Sequence, residues 1–266
     1  MKKLRNENNN TVVAVVANFK YLRMYFDKFH KQIRGVGEYK GEILILTSYF
    51  TPLFLFKSLR NDKKIKIYRY RNIKFSKNTI KLLNEISVPD KPNRNITKPF
   101  QWHKIHLFDK NLKIWKYIFY MDINMNIHYD LNPILKTLPI NKLFARADSY
   151  PNYDKKLKSQ FYENSKLFNQ LSNDFNLEVR DYFQTGIMFF DTNIVDKNTK
   201  SELISLVEKY PISITNEQGI MNLYFAHINN FYKELPSQLD GFETYFYWMV
   251  ENKKIIITKQ ARKQYK

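Results

Sequence analysis

The sequence predicts an α/β fold, a single domain with a mostly parallel central sheet and flanking helices. Three observations predict it. Residues 11–18 (TVVAVVAN) and 42–48 (EILILTS) are near-continuous apolar runs, the pattern of strands covered on both faces in a parallel sheet. Between them Leu22, Tyr25, Phe26, Phe29 and Ile33 recur at three- and four-residue spacing, which makes a helix with one apolar stripe. A further aromatic and β-branched run within residues 116–127 (KYIFYMDINMNI) stops abruptly in polar side chains, as a buried strand does at a ligand-facing end.

The remaining elements follow in order. Residues 1–10 are basic, then polar, and read as a disordered lead without the apolar segment of a signal peptide. Gly35 and Gly37 end the first helix. Residues 52–59 suit a short helix. Residues 64–70 (KIKIYRY) alternate apolar and basic side chains, so this strand lies near an edge or exposes one face. Three prolines within residues 88–99 mark a loop, and residues 100–113 form an amphipathic stretch ahead of the 116–127 strand. Residues 142–148 (KLFARAD) are a strand ending in an acid. Leu157, Phe161, Phe168, Leu171 and Phe175 mark a long amphipathic helix. A strand at 182–191, helices around 203–207 and 219–226, and a short strand at 255–257 before a basic end complete the chain. Strands alternating with helices argue for a doubly wound arrangement, and no linker long enough to separate domains interrupts it.

Composition narrows the class. The 266 residues suffice for one substantial core. A hydrophobic content of 44% with 16% aromatics is that of a globular chain and excludes disorder. No apolar run approaches the length of a bilayer span. The absence of cysteine excludes disulfides, thiol catalysis and Cys-based zinc sites, so a cytoplasmic location is expected. Lys and Arg number 44 against 25 Asp and Glu, a net +19 that favours anionic partners. The same excess arises if an A·T-rich coding bias enriched Lys, Asn and Ile, with most lysines simply solvating the surface. A basic nucleic-acid-binding protein is the less favoured alternative that this charge and the abundant Tyr and Phe raise, but no nucleic acid is expected as a partner. Zinc-finger, RRM and KH signatures are missing, and the aromatics fall mostly at core spacing.

Asp122 and Asn124 are the candidate ligands at the end of the 116–127 strand. Two residues apart, they project to one side of an extended chain. Their oxygens suit a hard divalent cation and the phosphates or ribose that accompany it. Alone, the pair equally describes an ordinary strand with a polar turn after it. His103 and His106 are three apart with no carboxylate in register, so packing is the better reading than metal ligation. The absence of G-x-G-x-x-G after the first strand argues against a dinucleotide enzyme.

The order of amphipathic stretch, strand, D-x-N and then residues 128–135 (HYDLNPIL) resembles the family 8 glycosyltransferases, the group of glycogenin and the bacterial lipopolysaccharide galactosyltransferases. Two further blocks agree in order and spacing: residues 182–190 (YFQTGIMFF) look like the family's Phe-Asn-Ser-Gly strand, and residues 216–222 (NEQGIMN) like its Asp-Gln-x-x-x-Asn helix start. The resemblance implies a GT-A (Rossmann-like) fold, with residues 11–130 as nucleotide-binding half and 131–266 as acceptor-side half. It implies transfer of a hexose from a nucleotide-sugar, UDP-linked, to a glycan or protein acceptor with retention. Asp122 and Asn124 would hold Mn2+ or Mg2+ together with the nucleotide. Asn18, Tyr21, Lys104, Gln184 and Gly186 would join them in binding the donor. Gln218, Glu217 and Asp148 would be catalytic, with Gln218 beneath the reacting anomeric carbon. A longer multidomain chain or a homodimer is compatible with the pattern.

This chain departs from the family in several places. Asn124 stands for a second Asp, Gln184 for an Asn and Glu217 for an Asp. Near the carboxyl end the family's metal-closing His is missing. Three readings follow: the chain is a piece of a longer protein; or Lys259, Arg262 and Lys263 compensate the charge; or it is a catalytically inactive nucleotide- or glycan-binding relative.

Overall fold

A computed structural model describes residues 10–56, 59, 61–86, 99–148, 154–248 and 250–260. The lead at 1–9, nearly all of the 88–99 loop and the basic end at 261–266 lie outside the described residues.

Seven strands make the central sheet: β1 (Thr11–Val16), β2 (Ile43–Ser48), β3 (Ile65–Tyr70), β4 (Tyr117–Met121), β6 (Leu143–Ala147), β7 (Phe183–Asp191) and β8 (Tyr232–Glu234). Their order is β3-β2-β1-β4-β7-β6-β8. The first four are parallel, β7 runs antiparallel to both of its neighbours, and β6 and β8 pair in parallel. The α/β class with a mostly parallel sheet is therefore what the apolar runs predicted, with β3 at an edge as its alternation required.

The reason those runs are apolar throughout is visible in the packing. Along β1, Val12, Ala14 and Val16 enter one buried cluster, while Val13, Val15 and Ala17 enter another on the opposite face. On β4 Ile118 and Tyr120 face the first cluster, Phe119 and Met121 the second. Each large apolar side chain buried this way contributes roughly 1.5–3 kcal/mol of transfer free energy. In chain order the α-helices among the described residues are α1 (Phe19–Arg34), α2 (Lys77–Glu85), α3 (Asn132–Leu135), α4 (Lys166–Asp174), α5 (Thr199–Lys209) and α6 (Glu217–Asn222). Helix α1 packs through Leu22, Phe26, Phe29 and Ile33, and Asn18 caps its start by accepting a hydrogen bond from Tyr21 N–H at 3.0 Å.

Three local expectations are corrected. The stripe from Leu157 to Phe175 is not one helix: a 3₁₀ turn (Leu157–Gln160) is followed by Phe161 bridged to Ser213, and only then by a helix (Lys166–Asp174). That bridge and the Ser165 cap, which accepts from Leu167 N–H at 3.2 Å, break the run. The stretch at 100–113 is not amphipathic but a 3₁₀ segment (Pro99–Phe108) buried from Trp102 to Phe108, covered by the helix Thr199–Lys209. The last strand is also longer than predicted. β11 (Ile255–Gln260) joins β5 (Asn126–Ile127), β9 (Gln238–Leu239) and β10 (Phe242–Trp248) in a second sheet of order β5-β11-β10-β9.

Candidate active site

Asp122 follows β4 directly, at its carboxyl end, the position at which parallel sheets present ligands. Its N–H donates to Gly186 O at 2.9 Å, tying it to β7, and Met125 N–H donates back to Asp122 O at 3.0 Å. The Asp122–Asn124 segment is thus a turn, not the extended chain assumed from the spacing. The two side chains still converge, because the turn folds them onto a common partner. That partner is Lys259 on β11, whose Nζ donates to Asp122 Oδ2 at 2.5 Å and to Asn124 Oδ1 at 2.9 Å.

The other oxygen of Asp122 is equally engaged. Oδ1 accepts from Tyr120 OH at 2.6 Å and lies 3.2 Å from Lys104 Nζ. Burial alone would raise the Asp122 pKa. The charges of Lys104 and Lys259, with hydrogen bonds from Lys259 and Tyr120, outweigh it and hold the carboxyl well below the usual range. Lys104 comes from the buried 3₁₀ segment. Its Nζ also reaches Glu217 Oε1 at 3.0 Å and donates to Thr185 O and Oγ1 at 3.3 and 3.4 Å. Burial disfavours the ammonium, but Asp122 and Glu217 more than offset this and push its pKa up.

Glu217 and Gln218 open a short helix, α6 (Glu217–Asn222), directly after Asn216, whose φ of 58° lies in the left-handed region. Asn tolerates that conformation better than most residues, and its Nδ2 donates to Gln101 Oε1 at 2.6 Å. Glu217 Oε1 accepts from Thr185 Oγ1 at 2.9 Å, whereas its buried Oε2 has no partner among the described residues. Gln218 spans the site: Oε1 accepts from Thr185 N–H at 3.1 Å, and Nε2 donates to Asp148 Oδ2 and to Gln160 Oε1, each at 2.8 Å. Asp148 follows β6. Burial pushes its carboxyl up to about 6, against the hydrogen bond from Gln218 and the charge of Lys155.

Gly186 sits beside Asp122. A Cβ there would come within 2.8 Å of Met125 Cε and 3.8 Å of both Asp122 Oδ2 and Gln184 Oε1, so Gln184 and Asp122 share this side of β7. Tyr21 is 41% exposed, which removes it from the packing face of α1. Desolvation, Tyr25 and the nearby Asp122 charge raise its pKa.

Residues 18–21, 104, 122–124, 148, 184–186 and 217–218 lie at one end of the sheet. His103 and His106 take no part: His103 hydrogen-bonds Asn72 Oδ1 at 2.8 Å and stacks on Phe100, and His106 stacks on Tyr70. Thr185, Gln160 and Tyr120 were not singled out from sequence. Thr185 lies between Gln184 and Gly186 and Tyr120 two residues before Asp122, a signal of nearness only, and Gln160 carried none. Arg262 and Lys263 lie outside the described residues.

A divalent ion does not fit the Asp122–Asn124 pair as it stands. Such an ion lies about 2.0–2.6 Å from its oxygen ligands, which is the space Lys259 Nζ fills, and a second cation there would meet the ammonium. Among the described residues no three His, Cys, Asp or Glu side chains are grouped to hold a metal.

The fold is of the GT-A type, as likeness to solved structures shows. Among solved structures, the galactosyltransferase LgtC, in complex with donor and acceptor sugar analogues, superposes with a TM-score of 0.57 at 13% identity, over 88% of this chain and 75% of that one. The bifunctional glycosyltransferase WbbM gives 0.54 at 16% identity, over 89% of this chain and 40% of its own. The glycosyltransferase GlyE of Streptococcus pneumoniae gives 0.50 at 12% identity, over 86% and 46%. The chain spans less than half the length of the last two. No family model and no curated protein matches it in sequence. Among the described residues no helix is long and apolar enough to cross a membrane.

Proposed function

We propose that the chain is a glycosyltransferase of the family 8 type, moving a hexose from a nucleotide-sugar, UDP-linked, to a glycan or protein acceptor with retention of configuration. One observation carries the reading: Gln218, from the start of α6, is fixed between β7 and Asp148 at the same end of the sheet where Asp122 follows β4. These groups come from four separated segments, and a packing role alone would not need so many polar side chains in one place.

The chemistry follows from the residue types. An amide is a poor nucleophile, so Gln218 suits an oxocarbenium-like transition state, with its oxygen stabilising positive charge at the anomeric carbon on the face opposite the leaving group. Glu217 Oε2, buried without a partner among the described residues, and Gln184, from β7, have the acceptor chemistry that a sugar hydroxyl requires. The departing diphosphate gathers negative charge, which Lys104 and Lys259 can offset. Tyr21, exposed beside Asp122, can stack on the nucleobase, with Asn18 ordering the turn beneath it.

Incubation with a panel of UDP-sugars, with products read by NMR, tests the proposal. Release or transfer of sugar with the donor's anomeric configuration is expected. Inverted product would remove retention, and no turnover of any donor while the protein remains folded would leave a binding protein in place of an enzyme.

A further inference from the structure

Lys259 is placed too deliberately to be a stray surface lysine. Its strand is pinned beside the Asp122 turn by backbone register, Ile257 opposite Ile127 and Thr258 opposite Asn126. Side chains reinforce the register: His128 Nε2 lies 2.9 Å from Thr258 Oγ1, and Lys28 Nζ donates to Asn126 Oδ1. The side chain so delivered is 22% exposed, and its ammonium contacts Asp122 Oδ2 and Asn124 Oδ1.

Charge explains why those two partners differ in type. A pair of carboxylates carries two negative charges and calls for a divalent ion. Here Asp122 carries one charge and Asn124 none, and a single ammonium neutralises the pair. The amide at 124 and the lysine at 259 are thus matched in charge. An ammonium has three N–H donors. Among the described residues two are engaged, by Asp122 and Asn124, and the third remains for an incoming oxygen.

We infer that Lys259 is the built-in cation of this site: its ammonium stands in place of a divalent ion and binds the donor's diphosphate directly, so that nucleotide binding requires no metal. The inference rests on the nucleotide-sugar reading above and differs from the metal-dependent binding that the family resemblance implies. With Lys104 on the other oxygen of Asp122, its donors already taken by Asp122, Glu217 and Thr185, the leaving diphosphate would meet the Lys259 ammonium directly and the Lys104 charge behind Asp122. Cationic groups pre-placed where charge develops stabilise it without reorganisation at the moment of reaction.

Titration calorimetry of the whole chain with UDP, GDP, CDP and ADP, in EDTA and separately with Mn2+ or Mg2+, tests this. At least one nucleotide is expected to bind in EDTA, with less than threefold change on adding metal. Lys259→Met is expected to weaken that binding at least tenfold in EDTA, and Lys259→Arg to retain most of it. Thermal unfolding of each variant without nucleotide confirms that it is folded, and the wild-type metal comparison stands even if Lys259→Met is not. Binding that appears only with metal overturns the inference and leaves the glycosyltransferase reading intact. Metal-free binding untouched in folded Lys259→Met also overturns it. Failure of every nucleotide to bind under any condition overturns the reading beneath it as well.

Discussion

Asn222 grips the backbone of Phe183 from both sides. Its Oδ1 accepts from Phe183 N–H at 2.7 Å, and its Nδ2 donates to Phe183 O at 2.8 Å and to Gln218 O at 2.9 Å. The first residue of β7 is thereby locked to the helix that carries Glu217 and Gln218, which sets the distance between Gln184-Thr185-Gly186 and those two side chains. Asn222 is fully buried. Asn222→Ala would leave a buried N–H and C=O unpaired, each costing about 1–3 kcal/mol, so a loss of about 3 kcal/mol is expected in urea denaturation. A loss below about 1 kcal/mol would mean that the strand is held by other means.

Lys104 is the charge that permits two carboxylates to lie together at the end of the sheet. Lys104→Met removes it and leaves Glu217, whose side chain is 3% exposed, facing Asp122 without compensation. Breaking a buried pair by deleting one partner costs about 3–5 kcal/mol. Lys104→Met with Glu217→Gln should recover part of that loss, because the orphaned charge is gone. A double variant no more stable than the single would argue that Lys104 acts through packing, its Nζ lying 5.5 Å from the Tyr120 ring centre.

Gln218→Ala is expected to lower kcat by about tenfold or more while KM for the donor changes less than threefold. The proposed contact strengthens only as charge develops at the anomeric carbon. Steady-state kinetics on whichever donor proves active reads this directly. A large rise in KM at constant kcat would move Gln218 from the reacting centre to ground-state binding.

Asp148 should give the protein a distinctive stability profile. Its folded pKa of about 6 lies above the unfolded value of 3.8. Between these pH values the folded form holds a proton that the unfolded form has released. Stability from this group is therefore greatest below about pH 4 and declines as pH rises to about 6. Asp148→Asn should flatten that slope, read as the difference in urea midpoints between the two proteins at pH 4.5 and 6.5. Parallel profiles for the two proteins would show that Asp148 is not the group responsible.

Much of the fold was legible in local pattern. The runs at 11–18 and 42–48 are apolar on both sides because each face of the sheet has its own cluster, and periodicity reports that condition directly. Periodicity misled where chain neighbours intervened. The stripe from Leu157 to Phe175 has helical spacing, yet the pairing of Phe161 with Ser213 divides it. The buried 3₁₀ segment carrying Lys104 has no one-sided pattern to read, because it is covered almost all round.

The candidate site divides in the same way. By itself the sequence determined which residues cap strands and start helices: Asp122 after β4, Gly186 within β7, Glu217 and Gln218 opening α6. Those are local properties, set by backbone propensity and by where an apolar run ends. What only the tertiary structure decided is which charges meet. Lys259 lies 137 residues from Asp122 and belongs to a different sheet; the sequence offered it only as one of three basic residues, with Arg262 and Lys263, that could compensate the charge, and nothing in its neighbours selects it among them. The register of β11 against β5 delivers its ammonium to Asp122 and Asn124. Electrostatic partnership depends on distance in space, which strand pairing fixes and chain order does not encode.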